Sequence, residues 1–126
     1  MRLLLDTAVL IYAVEAPERL SKNAAAMVKD PENTLELSAV SLAEIAIKSS
    51  VGKLRLDSEA VRRAIEELGV RVLPFTASAA FVLFNLPLLH RDPFDRQIIS
   101  QALLEDIPVL TSDQAFKRYK GLRVIW

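Results

Sequence analysis

Asp6, Glu44, Asp95 and Asp113 each stand where an apolar stretch meets the start of a helix. Carboxylates gathered in this way are the side chains that hold hard divalent cations. Each acid also has an ordinary explanation. Asp6 follows Leu3-Leu4-Leu5 directly and could cap a helix beginning at Thr7, a role worth about 1 kcal/mol; Thr7 could fill that cap instead and leave Asp6 free. Ser41-Leu42-Ala43-Glu44 reads as a capping box, with Glu44 reaching back to the Ser41 backbone, and Lys48 is placed to pair with Glu44 one turn on. Taken alone, the capping role of Glu44 prevails, although its neighbours Leu42, Ala43, Ile45, Ala46 and Ile47 are all apolar. In Asp92-Pro93-Phe94-Asp95, Asp92 is the expected cap and Pro93 the first helical residue. Asp95 shares a helix face with Ile98 and Ile99 and so borders the buried stripe. Asp113, after Thr111-Ser112, could cap the last helical turn.

These explanations strain when they must all hold together. Two carboxylates ~4 Å apart repel by about 4 kcal/mol at an effective dielectric of ~20. Such a cluster is tolerable when one acid takes a proton or a cation sits among the oxygens. With no cysteine and one histidine in the chain, Mg²⁺ or Mn²⁺ suits the donors better than zinc. His90 is expected in a surface loop before Arg91. No Gly-x-Ser-x-Gly is present, and the three glycines, Gly52, Gly69 and Gly121, form no phosphate loop. Met27, Phe75, Phe81 and Phe84 read as core. Lys48, Lys53, Arg55, Arg91 and Arg96 are basic candidates for phosphate contact, and Arg91 and Arg96, flanking the Asp92–Asp95 helix start, come first.

The elements that must position these acids alternate. Strands are expected at Arg2–Leu5, Thr34–Ala39, Val70–Leu73, Val109–Thr111 and Arg123–Trp126, from short apolar runs bounded by turn residues. Helices are expected at Thr7–Val14, Ser21–Lys29, Ser41–Ser50, Ser58–Leu68, Ala77–Asn85, Asp92–Glu105 and Gln114–Tyr119, with Gly69 as a left-handed C-terminal residue. Alternation of this kind implies parallel pairing and a three-layer α/β/α sandwich with a mainly parallel central sheet. Ligands of such sheets bind beyond the carboxyl ends of the strands, where Asp6 and Asp113 fall.

At 126 residues the chain, 1–126, is expected to form one domain. Half of it is hydrophobic, enough for a core without disulfides or structural metal. The absence of cysteine excludes thiolate chemistry. Lysine plus arginine balance aspartate plus glutamate, so contact with nucleic acid must be local or assisted by metal ions or a second subunit. Asp6 interrupts the first apolar stretch, and no run approaches the ~20 residues that span a bilayer. A cytoplasmic location, with no membrane partner, is the expectation.

Leu4-Leu5-Asp6-Thr7, Ala43-Glu44-Ile45, His90-Arg91-Asp92-Pro93-Phe94-Asp95-Arg96 and Thr111-Ser112-Asp113 together resemble the PIN-domain ribonucleases. Among these the sequence is most similar to the VapC toxins of type II toxin–antitoxin pairs. The resemblance runs from Met1 to Trp126. It implies an acidic pocket of Asp6, Glu44, Asp95 and Asp113 binding Mg²⁺ or Mn²⁺, lined by Thr7, Thr111 and Ser112, and endonuclease action on RNA. It further implies a homodimer and a small antitoxin whose tail blocks the pocket. Relatives often have histidine where this chain has Ala8 and tryptophan where it has Ala43. The mechanism expected of such a site is metal-assisted phosphodiester hydrolysis, Asp6 and Asp95 anchoring the metal while Glu44 and Asp113 hold its waters or a second ion. The alternative is a catalytically inactive PIN-like module that binds RNA or an antitoxin. A haloacid-dehalogenase-type phosphatase needs a second aspartate at position 8, where Ala8 stands.

Overall fold

The computed structural model describes residues 1–126. Leu3 and Leu5 point to one face of the sheet and Leu4 to the other, and all three are fully buried. That is why the first strand is apolar without alternation: both of its faces are covered. Strands β1 (Arg2–Leu5), β2 (Thr34–Ser38), β3 (Arg71–Leu73), β4 (Val109–Leu110) and β5 (Val124–Ile125) form one sheet in the order β3-β2-β1-β4-β5. Every pair is parallel. Helices α1 (Thr7–Glu15), α2 (Lys22–Lys29), α3 (Ala39–Ser50), α4 (Ser58–Leu68), α5 (Ala77–Val82) and α6 (Pro93–Glu105) complete the sandwich. Short 3₁₀ turns occupy Pro17–Arg19, Leu83–Asn85 and Gln114–Arg118.

Two apolar clusters lie on opposite faces of the sheet. Leu4 and Val109 meet Ile98, Ile99 and Ala102 of α6, with Phe116 and Tyr119. Leu3, Leu5, Leu35 and Leu37 meet Val9 and Leu10 of α1, Ala24 of α2 and Ile45 of α3. The three-layer α/β/α arrangement expected from the alternation of elements is the one found. No helix is long and apolar enough to cross a membrane.

Several boundaries differ from the expectation by a single residue, those of β3, β4 and β5 among them, and three further differences change a helix. Helix α3 begins at Ala39, because Ser38 leaves β2 in extended conformation and its hydroxyl accepts from the Val40 amide at 3.1 Å. Ser41 is thus inside the first turn, and the expected capping box is absent. The helix expected over Ala77–Asn85 tightens into 3₁₀ form after Val82, and the segment after Asp113 is 3₁₀ rather than α. At Gly69 the left-handed residue is present (φ 64°), and the Val70 amide donates to the Ile65 carbonyl at 2.9 Å.

Glu36, in the middle of β2, is fully buried and was not singled out by its sequence. Arg2 approaches its carboxylate to 3.0 Å and also reaches Glu105, while Arg71 stands 3.9 Å away. Glu36 points to the same face as Leu4, its register partner in β1, so an acid there requires these arginines.

Candidate active site

The sheet order reverses between β1 and β4, and the crevice at such a switch point is where α/β folds bind ligands. Asp6 stands on one side of it and Thr111 and Asp113 on the other. Register carries them together, since Leu5 pairs with Leu110 and Asp6 N donates to the Leu110 carbonyl at 3.1 Å. Thr111 Oγ1 donates to Asp6 Oδ2 at 2.7 Å and accepts from the Asp113 amide at 3.0 Å. A single hydroxyl therefore links the two strand ends. Ser112 between them is exposed.

Asp6 holds the N-cap position of α1 by backbone angle, but its side chain makes no capping hydrogen bond. It is 7 % exposed. Burial pushes its carboxyl up to about 6, and the charges of Glu44 and Asp113 add to the rise against the opposing bonds from Thr111 and Thr7. Thr7 does not cap either; its hydroxyl donates to Ser41 Oγ at 2.8 Å, tying α1 to α3 in the interior.

Glu44 is carried on α3, 6 % exposed. Lys48 Nζ lies 2.5 Å from its Oε2, whereas Oε1 is buried and has no hydrogen-bond partner. The Lys48 ammonium is held above its usual range by that bond first, and by the charges of Glu44, Asp92 and Asp95.

Helix α6 brings Asp95. Asp92 caps it, one carboxylate oxygen accepting from the Phe94 and Asp95 amides at 2.9 and 3.0 Å. This division of labour leaves the Asp95 side chain free of the cap. Burial pushes the Asp95 carboxyl up to about 8, and the charges of Asp6, Asp92, Asp113 and Glu44 all act in the same direction. The acids expected to gather do lie within electrostatic reach of one another. Asp113 remains exposed and caps its 3₁₀ turn through the Ala115 amide at 2.9 Å.

The loop before α6 departs most from expectation. His90 is not a surface residue: its side chain is 13 % exposed, with Nδ1 2.7 Å from the Tyr119 hydroxyl and Nε2 at a long 3.4 Å from Asp95 Oδ2. Arg96 donates to the Pro87 and Leu86 carbonyls and to Tyr119. Arg118 donates to the Leu89 carbonyl at 3.2 Å. Arg96 is thus a clamp on the loop, and of the arginines flanking Asp92–Asp95 only Arg91 presents an exposed side chain. Sequence spacing gave no sign of Tyr119, whose hydroxyl is the shared partner of His90 and Arg96. Phe81 and Phe84, expected in the core, are 68 % and 83 % exposed, with rings stacked at 5.8 Å.

An all-oxygen donor set, a buried unpartnered carboxylate oxygen and mutually repelling acids suit a hard divalent cation. The side chains do not already close on one point: no three of the His, Asp and Glu residues stand at the spacing of shared metal ligands. Thr111, Lys48 and the Ala115 amide each hold one carboxylate instead.

The PIN domain model matches residues 3–122, so the chain belongs to the PIN-domain family. No curated protein sequence matches it. Its fold is similar to that of a chain in VapBC2 of Rickettsia felis, bound to a DNA fragment from the promoter, with 22 % identity, TM-score 0.73 and 99 % and 98 % of the two chains covered. A chain of VapBC-1 from nontypeable Haemophilus influenzae is 26 % identical at TM-score 0.67, covering 99 % and 97 %. One in FitAcB of Neisseria gonorrhoeae is 23 % identical at TM-score 0.60, covering 98 % and 96 %.

Proposed function

We propose that this PIN-domain protein is a Mg²⁺- or Mn²⁺-dependent endoribonuclease, the toxin of a type II toxin–antitoxin pair, cutting RNA at Asp6, Glu44, Asp95 and Asp113. The observation that carries the reading is the pair Asp6 and Asp95. Both are withdrawn from water, and each is raised by the charges of the other acids. Perturbed carboxyls at a topological switch point are what a reactive site produces.

In this reading Asp6 and Asp95 would hold the metal, and Glu44 and Asp113 would hold its waters or a second ion. A bound divalent cation supplies an activated water and offsets charge building on the phosphate. The chain's own part is orientation. Thr111 fixes Asp6, Thr7 and Ser41 lock α1 against α3, and Thr111 and Ser112 line the approach beside Asp113. Asp92 keeps Asp95 free by taking the α6 cap. Exposed Arg91 contacts substrate phosphate. Arg96, the other expected contact, would serve RNA only by releasing the loop carbonyls it now holds.

An antitoxin partner is supported by the neighbours named VapBC and by an apolar groove of about 570 Å³ between α3 and α4, lined by Leu42, Ile45, Leu56, Val61, Ile65 and Val72. A homodimer has a candidate surface in the stacked Phe81 and Phe84. The cytoplasm, where RNA is met, is the corresponding location.

The second reading, a PIN-like module that binds RNA or an antitoxin without turnover, draws on the three carboxylates held by protein partners. Incubation of the full chain with RNA and DNA oligonucleotides in Mg²⁺, in Mn²⁺ and in EDTA separates the two. Cleavage of RNA that requires the ion supports the nuclease; RNA binding without cleavage in either ion supports the module.

A further inference from the structure

Glu44 differs from the other acids in being neutralised by the chain itself. A Glu–Lys pair spaced one turn apart on a helix surface joins two hydrated groups and contributes a few tenths of a kcal/mol. Here the geometry is different. Glu44 is 7 % exposed at its side chain while Lys48 keeps 41 %, and the ammonium meets Oε2 at 2.5 Å. The other oxygen, Oε1, is buried with no partner. Lys48 is therefore rooted at the surface on a flexible stem, with its charged tip placed on an acid that water scarcely reaches. Asp92 and Asp95 act on the same ammonium.

A monovalent ammonium and a divalent ion want the same carboxylate oxygen. We propose that Lys48 is a tethered cation that holds the metal-free site together through Glu44 and competes with the divalent ion for it. The inference rests on the four-carboxylate reading of the site. Its consequences are linked, because whatever favours the metal-free form weakens ion binding by the same free energy. Removing the ammonium must therefore tighten ion binding and destabilise the metal-free protein together. A lysine acting only as a helix-surface partner would move neither quantity appreciably.

The test is calorimetric titration of Mn²⁺ into the full chain at one ionic strength, for wild type, Lys48→Met, Lys48→Gln and Lys48→Arg, with thermal melts in the absence and presence of the ion. Lys48→Met and Lys48→Gln are expected to bind Mn²⁺ about tenfold more tightly, to melt lower without it and to gain more from it. Lys48→Arg, which retains the charge, is expected to stay close to wild type. Wild type binding Mn²⁺ with both neutral variants equal or weaker overturns the role of Lys48 alone. If neither wild type nor a neutral variant binds the ion, the four-carboxylate reading falls with it. Should Lys48→Met fail to fold, Lys48→Gln, which keeps a polar group near Glu44, carries the comparison.

Discussion

At Asp95, burial and the neighbouring carboxylates act in one direction, so the folded chain resists the charge that a metal site needs. Replacing it by asparagine separates stability from chemistry. Asp95→Asn is expected to raise the melting temperature of the metal-free protein at pH 8 by several degrees, while RNA cleavage falls ~100-fold or more; calorimetry and an oligonucleotide assay read the two. The same residues set a pH dependence. Asp6 and Asp95 have folded values of about 6 and about 8, above the ordinary carboxyl value near 3.9. Between about pH 4 and 8 the folded state thus binds more protons than the unfolded one, and this contribution to stability is lost as pH rises. Melts of the metal-free protein should fall from pH 5.5 to pH 8.5, and saturating Mg²⁺ should flatten that slope. A melting temperature that climbs across this range without metal would contradict the assignment of buried, repelling acids.

At the scale of elements, the helix starts decide which acids are free. The α6 start was legible in sequence because Asp92, Pro93 and Asp95 carry the signals for a cap, a first turn and a buried stripe, and α6 begins at Pro93 as expected. The α3 start was not. Ser38 and Ser41 are both competent caps, and it is Ser38, the last residue of β2 to pair with β3, that takes the cap. That shift of a turn removes the capping role that had weighed most heavily against Glu44. It turns Ser41 into an interior partner of Thr7. The loop contacts were equally hidden, since His90, Tyr119 and Arg96 are far apart in sequence and no local pattern pairs them. Asp92→Ala, which removes an acceptor for two amides, is expected to cost ~1–2 kcal/mol by chemical denaturation. Ser38→Ala should cost about 1 kcal/mol. Ser41→Ala should change stability through the Thr7 contact rather than through any loss of helix start, a distinction that circular dichroism of the variants checks.

For the molecule as a whole, the alternation of strands and helices identified the layered parallel sheet, and period-free apolar strands identified its burial. Surface exposure is a property of the assembled chain and was hidden at Phe81 and Phe84: they look like core by neighbourhood, yet they lie exposed at the end of α5 and in the 3₁₀ turn after it. For the homodimer proposed above, Phe84→Lys is expected to sediment as a monomer with little change in melting temperature, whereas sedimentation identical to wild type would remove this pair as the interface. Across the sheet, Glu36 and Arg2 form a buried-to-surface ion pair. Arg2→Ala, which strips the nearest cation from a buried carboxylate, should destabilise by ~2–3 kcal/mol, more than Glu36→Leu, which removes the charge itself. Neither change bears on the acids at the other end of the strands. Whether these acids hold an ion that drives RNA cleavage is decided by the Mg²⁺ dependence of the RNA cleavage rate in wild type and Asp6→Asn. The rate is expected to require the ion in wild type, to be abolished by EDTA, and to be lost in Asp6→Asn although that variant folds. An unchanged metal-dependent rate in Asp6→Asn would contradict that role of the acids.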